Sequence, residues 1–213
     1  IQIFCSTITR TNTGNKTTVF LQIISSFFRI KYNTRIKECK ENNIPYVVIG
    51  NGSNLIIDDN GFNGVVILIG NDFSEISSLS ETEIYCQSGA LLSSFCVFAR
   101  ENSLSGAEFA YGIPGSVGGA VYMNAGAYGG EIKDIISYCD VIDENNEVKR
   151  LTPDELCLSY RHSSIMGTEK IIVGAAFSLK KGDKSEIKAA MDDFMNRRKT
   201  KQKKRIKIWQ VAH

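Results

Sequence analysis

The sequence predicts a fold that mixes strands with helices and carries glycine-rich loops at strand ends, and three observations say so. Short apolar runs bounded by turn residues alternate with segments of helical period. The composition is that of an ordinary globular chain, 43% hydrophobic and 23% charged over 213 residues, which is enough for one large or two small domains. Glycine is concentrated: seven of the 18 glycines fall in the nineteen residues from Gly112 to Gly130.

The elements follow in order. Residues 1–33 give no clean period, although Asn12-Thr13-Gly14-Asn15 has turn chemistry and Val19-Phe20-Leu21 suits a strand. From Thr34 to Asn42, Ile36 and Cys39 stand three apart, as on a short helix that Asn42-Asn43 then ends. Pro45 to Ile49 is a continuous apolar run, which predicts a strand covered on both faces. It leads into Gly50-Asn51-Gly52-Ser53-Asn54. Leu55-Ile56-Ile57, the turn Asp58-Asp59-Asn60-Gly61 and Val65 to Ile69 continue the sheet. Glu83 to Gln87 reads as another strand, and Leu91 to Glu101 as a helix with Leu91, Leu92, Phe95, Cys96 and Phe98 facing the core. Ile135 to Ile142 and Val148 to Leu151 form a hairpin turned at Asp143-Glu144-Asn145-Asn146. Thr152-Pro153-Asp154-Glu155 combines a threonine cap, a proline at the first helical position and a glutamate three residues on, so it starts a short helix. Ile171 to Leu179 is a strand. Asp183 with Glu186 caps a last helix that places Ile187, Ala190, Met191 and Phe194 on one face.

Composition excludes several classes. No stretch reaches the length of a membrane span, and the run Val19 to Ile30 is broken by Gln22, Ser25, Ser26 and Arg29. No small-residue cleavage site follows that run, so a cytoplasmic protein is the expectation. Cys5, Cys39, Cys86, Cys96, Cys139 and Cys157 are scattered, without a Cys-x-x-Cys and with only His162 and His213 beside them. No metal site is expected, and the thiols read as small core residues of a reducing compartment rather than as three disulfides. The net charge of +2 is uneven, because eight cations lie between Arg197 and Lys207 with no acid after them. The remainder carries 17 basic against 23 acidic residues, a net charge of −6.

Glycine loops expose backbone N–H groups with no Cβ in the way, and such nests attract phosphate oxygens. Gly115-Ser116-Val117-Gly118-Gly119 has that composition, and Gly50 to Asn54 offers a second such loop with the Ser53 hydroxyl. Together they suit a pyrophosphate held without a lysine. The spacing is neither Gly-x-Gly-x-x-Gly nor a Walker loop. Tight turns packing backbone on backbone, or an ordinary hairpin at Asn51-Gly52, remain open on the residues alone.

Three ordered motifs carry a resemblance: Ile49 to Leu55; Gly112-Ile113-Pro114-Gly115-Ser116-Val117-Gly118-Gly119-Ala120-Val121 with Met123-Asn124-Ala125-Gly126-Ala127-Tyr128-Gly129; and Tyr160-Arg161-His162-Ser163. Over roughly Ile44 to Gln202 the chain resembles UDP-N-acetylenolpyruvoylglucosamine reductase, also called UDP-N-acetylmuramate dehydrogenase, an FAD enzyme of bacterial cell-wall (peptidoglycan) synthesis. The resemblance implies an α+β, two-subdomain FAD-binding fold of the vanillyl-alcohol-oxidase type. Its subdomains would be residues 1–70 and 71–182, with 183–213 opening a largely missing substrate domain. It implies that Gly50, Asn51, Gly52, Ser53, Asn54 and Leu55, with Gly112, Ile113, Pro114, Gly115, Ser116, Gly118 and Gly119, bind the flavin pyrophosphate. Asn124, Gly126, Ala127 and Tyr128 would lie near the cofactor. It also implies NADPH as reductant, a UDP-sugar substrate, and Arg161 as the active-site arginine of a Tyr-Arg-x-Ser motif. A guanidinium suits that role, since hydride addition builds enolate charge beside a carboxylate. Without the motif, an ion pair of Arg161 with an acid such as Glu155 is the bland alternative. Tyr160 would orient the arginine or pack. His162 and Ser163 are read as structural.

Departures accompany the likeness. After Arg197-Arg198-Lys199-Thr200-Lys201-Gln202 the sequence runs Lys203 to His213, with no Ser-Ala-Gly-Ser-x-Phe-like segment to carry the family's proton-donor serine. Only Thr13-Gly14 matches the family's early Thr-Gly-Gly turn, and the chain opens at Ile1. A frameshifted or truncated gene is the expectation for these features, and an intact reading frame ending at His213 would refute it. Another FAD oxidoreductase of the same fold, or a nucleic-acid-binding module acting through the basic tail, are the competing readings.

Overall fold

The computed structural model describes the backbone of residues 11–13, 16–23, 28–55 and 61–209, and side chains of residues 35–55 and 61–200. The expected turn at Gly14-Asn15, the Ile56-Ile57 strand and most of the Asp58 turn lie outside the described residues.

The first unit comprises β1 (Thr11–Thr13), β2 (Lys16–Ile23), α1 (Phe28–Glu41), β3 (Tyr46–Ile49) and β4 (Val65–Ile69). Its sheet runs β1-β2-β4-β3, with β2 and β3 each parallel to the central β4. Parallel neighbours need a crossover, and α1 provides it between β2 and β3. Ile36 and Cys39 point inward as their spacing predicts, on a helix longer than the sequence indicates. β3 is half-buried rather than covered on both faces, because it lies at the edge of the sheet. Its C-terminal end opens directly onto Gly50.

The second unit is larger. It comprises β5 (Ile76–Ser78), β6 (Glu83–Gln87), α2 (Leu92–Glu101), β7 (Leu104–Ser105), α3 (Val117–Tyr122), β8 (Gly126–Ala127) and β9 (Gly130–Glu131). After these come β10 (Ile136–Ile142), β11 (Val148–Leu151), α4 (Pro153–Leu156), β12 (Ile171–Ser178), β13 (Lys180–Lys181) and α5 (Lys184–Trp209). Its main sheet is antiparallel in the order β11-β10-β12-β6-β5. Alternate residues of β6, Ile84 and Cys86, are fully buried beneath the helices, as period-two patterning requires. Phe95 of α2 packs on Phe177 of β12 with ring centroids 4.5 Å apart, and both rings are fully buried. Burial of such a ring contributes about 1.5–3 kcal/mol. Cys86, Cys96 and Cys139 sit in this core as free thiols, and burial pushes their titration upward.

A second, smaller core joins the two sheets: Ile36, Ile67 and Ile69 from the first meet Ile142, Ile171 and Val173 from the second. It brings the end of β3 beside α3. The threonine cap at Thr152 forms a full capping box with Glu155, as expected. Two expectations need correction. Leu91 is the residue before α2 and is 38% exposed, while Ala99 takes the core position on that helix face. The helix assigned to the start of a further domain instead buries Ile187 and Met191 in the same core as Phe95 and Phe177. Its backbone continues as one helix through the basic stretch to Trp209. No helix among the described residues is long and apolar enough to cross a membrane.

Candidate functional site

The two glycine loops meet. Ser53 Oγ donates a hydrogen bond to the carbonyl of Pro114 at 2.8 Å, across 61 residues of sequence. A Cβ placed on Gly50 would stand 2.2 Å from Ser116 Oγ, so any side chain here would have to displace the Ser116 hydroxyl. Gly52 and Gly115 adopt φ of +68° and +143°, the region that favours glycine. Between the loops lies a cleft of about 360 Å³, within the roughly 300–1,000 Å³ of small-molecule sites.

Not every amide of the second loop faces that cleft. The N–H groups of Val117 and Gly118 donate to the carbonyls of Ala90 and Ser88, and the Gly119 N–H is directed at Ser116 Oγ. The five-residue nest expected from Gly115 to Gly119 is therefore corrected: α3 spends its first amides on the loop after β6. A Cβ on Gly118 would sit 2.7 Å from that of Ser88, which makes Gly118 a packing glycine. The amides of Asn51, Gly52, Ser53, Asn54, Gly115 and Ser116 have no acceptor among the described residues.

Of the expected binding residues, Gly50 through Leu55, Ile113 through Ser116, Gly118, Gly119 and Gly126 line the cleft. Gly112, Asn124, Ala127 and Tyr128 do not, for separate reasons. Gly112 makes room for Arg198, whose Cδ lies 3.3 Å from where a glycine Cβ would be. Asn124 is buried with φ +42°; its side-chain amide donates to Glu131 and to the Ser159 carbonyl, and its oxygen accepts from the Lys133 N–H. Ala127 pairs with Gly130 in a small hairpin. Tyr128 stacks on Phe194 of α5 with ring centroids 4.6 Å apart and planes within 4°.

Arg161 reaches the cleft from a tight turn in which Ser159 and His162 exchange both backbone hydrogen bonds. Its φ of +55° is unusual for a side-chain-bearing residue and costs on the order of 1–3 kcal/mol. No acid among the described residues pairs with it. Glu155 is held in the Thr152 capping box, so the bland ion pair does not form. Tyr160 neither packs nor orients the arginine, being 87% exposed. Ser163 is buried and donates to the Tyr122 carbonyl, a structural role.

Three contributors were not found from sequence. Lys170 and Arg198 line the cleft with Arg161, so among the described residues three cations and no carboxylate line it. That local charge contrasts with the net −6 of the chain outside its basic stretch, and it favours an anionic ligand. Ser88 is the third: it lines the cleft, is 2% exposed, and its hydroxyl has no partner among the described residues. A buried hydroxyl left without a partner costs about 1–3 kcal/mol unless a ligand supplies one. The signal was present in Ser88-Gly89-Ala90, a third small-residue loop at a strand end. Free amides, an orphaned hydroxyl, cations and glycines at the closest approaches together fit the pyrophosphate of a dinucleotide.

Comparison with known proteins agrees. Residues 32–152 match the family model described as FAD binding domain. UDP-N-acetylenolpyruvoylglucosamine reductase of Clostridium novyi (strain NT) is 48% identical over 169 residues, which are 78% of this chain and 54% of that protein. The enzyme of the same name from Staphylococcus aureus (strain MRSA252) is 43% identical over 195 residues, covering 91% and 62% respectively. The crystal structure of UDP-N-acetylenolpyruvylglucosamine reductase (MurB) from Thermus caldophilus superposes with a TM-score of 0.68 at 31% identity, covering 86% of this chain and 64% of that one. The chain spans about half the length of the curated relatives it matches.

Proposed function

We infer that the cleft of this chain, which belongs to the FAD binding domain family and is a homologue of the UDP-N-acetylenolpyruvoylglucosamine reductases, grips the pyrophosphate of FAD between its two glycine loops. The observation that carries this reading is the contact of Ser53 with Pro114, which turns two distant loops into one concave surface. Six amides without acceptors among the described residues, in the Asn51–Asn54 loop and at Gly115-Ser116, supply the donors that a diphosphate needs. Ser88 adds a hydroxyl donor from the floor. Lys170 and Arg198 offset the remaining negative charge.

For the longer proteins of this family the reaction is reduction of UDP-N-acetylglucosamine enolpyruvate to UDP-N-acetylmuramate in cell-wall synthesis, and we propose that this chain contributes its flavin-holding half. Bound FAD would supply hydride, drawn from NADPH, to the enolpyruvyl double bond. Arg161 is the catalytic residue of this proposal. Its planar, permanently charged guanidinium has no acid partner among the described residues and lines the cleft, so it can hold the substrate carboxylate and the enolate charge that develops beside it. The turn between Ser159 and His162 fixes its backbone in advance.

The test is direct. The purified chain, incubated with FAD and desalted, is expected to retain flavin absorbance near that of one equivalent, and denaturation releases the flavin because binding is non-covalent. A colourless protein that takes up no added FAD contradicts the reading.

A further inference from the structure

Beyond the cradle itself, one arginine of the cleft follows, one helical turn later on α5, a residue that stacks on the β8–β9 hairpin. The inner face of α5 presents Ile187, Met191, Phe194 and Arg198 at steps of four, three and four residues, the spacing of a single helix stripe. Ile187 and Met191 are anchored in the core. Phe194 is half-buried and stacks on Tyr128, and it is the last apolar residue of the stripe before Arg198. Tyr128 is itself fixed by the hairpin of β8 and β9, where Tyr128 and Gly129 have φ of +55° and +88° between the paired Ala127 and Gly130. Positive φ at both central residues is the backbone signature of a two-residue hairpin turn. The same hairpin contributes Gly126 to the cleft wall.

Neighbouring arginines on α5 have opposite fates. Arg197 pairs with Asp193 at 2.7 Å and stands 5.9 Å from the Phe194 ring. Arg198 has no acid partner among the described residues, is half-buried, and lies along Gly112 at the cleft. An unpaired, partly buried cation is costly unless an anion meets it. Its position then depends on what fixes the helix one turn earlier.

We propose that Tyr128 and Phe194 are positioning residues: their stack sets α5 so that Arg198 meets the anionic part of the ligand in the cleft. This rests on the reading that the ligand is FAD. Without the stack, α5 keeps its Ile187 and Met191 anchors, but the turn bearing Arg198 is no longer fixed against the cleft and the arginine contributes less to binding.

A double-mutant cycle on the full chain tests this, with FAD affinity read by flavin fluorescence at several salt concentrations. Arg198→Met is expected to weaken FAD about tenfold and to flatten the salt dependence. Phe194→Leu, which keeps apolar bulk but removes the stack, is expected to give most of the same loss and the same flattening. Phe194→Leu added to Arg198→Met then costs nothing more, and Tyr128→Phe, which keeps the ring, binds as the parent does. Phe194→Ala run beside Phe194→Leu, each with its melting temperature, separates lost packing from lost positioning. Additive losses near a hundredfold in the double variant, or a Phe194→Leu protein with unchanged affinity and salt slope, overturn the proposal while leaving the FAD reading intact. A parent chain that binds no FAD overturns both.

Discussion

The glycine-rich stretch from Gly112 to Gly130 divides into two halves that look alike in sequence and do different things. In the first, Ile113 through Ser116 with Gly118 and Gly119 line the cleft, and Pro114 meets the Ser53 loop. In the second, Asn124 through Gly130 turns back on itself: Asn124 ties three backbone or side-chain partners together, Tyr128 stacks on α5, and a Cβ on Gly130 would stand 2.6 Å from the Phe109 ring. Of the second half, only Ala125 and Gly126 line the cleft among the described residues. Glycine marks where backbone must come close to something. The partner is a ligand in one half and the protein's own framework in the other.

Substitutions in the second half, and in the Gly50–Asn54 loop that the first half meets, should therefore separate stability from binding. The largest effect is expected at Asn124→Ala, which leaves Glu131, the Ser159 carbonyl and the Lys133 N–H without their partner and places alanine at φ +42°. The loss is about 3 kcal/mol of stability, or roughly 6–12 °C in Tm, with FAD affinity of the folded protein little changed. Loss of FAD affinity without loss of Tm would erase the distinction between the halves. Gly50→Ala comes next, since its Cβ would collide with Ser116 Oγ at 2.2 Å. FAD affinity is expected to fall about a hundredfold, ~2.8 kcal/mol, with a smaller change in Tm. Ser53→Ala removes one hydrogen bond between the loops. Titration should show about fivefold weaker FAD, ~1 kcal/mol, and an unchanged melting curve.

Much of the framework was legible because local signals were strong. The capping box at Thr152 and Glu155, the β6 strand from Glu83 to Gln87 and the hairpin of β10 with β11 all stand where period and turn chemistry put them. The misplacements have a common physical origin in tertiary context. Nothing local says that Val117 and Gly118 donate to Ala90 and Ser88, because those acceptors lie on another loop. Nothing local says that Arg198, one cation in a run of eight, lines the cleft. Asn124 and Tyr128 sit inside a matching motif, and a motif does not tell a residue that holds the loop from one that touches the ligand.

The smallest effect concerns pH and belongs to the framework alone. Asp183 is held below the usual carboxylate range by the Ser185 hydroxyl and by the Glu186 and Ser185 amides, and Glu155 by the backbone and hydroxyl of Thr152. Depressed folded values mean that their stabilisation is complete above the unfolded values, about pH 4, and is lost as pH falls through the folded ones. The Tm of the Asp183→Asn/Glu155→Gln variant should thus fall less steeply than the parent's between about pH 5 and pH 2.5. Parallel slopes would show that these caps carry no linkage.

If the Gly50–Asn54 and Ile113–Gly119 loops form one diphosphate cradle, flavin affinity must depend on the diphosphate. Titration of the chain with FAD and, separately, with riboflavin, which lacks the diphosphate, tests it most directly. FAD is expected to bind saturably and riboflavin to bind at least about a hundredfold more weakly, roughly 2.8 kcal/mol. Equal affinity for the two flavins, or binding of neither, would contradict it.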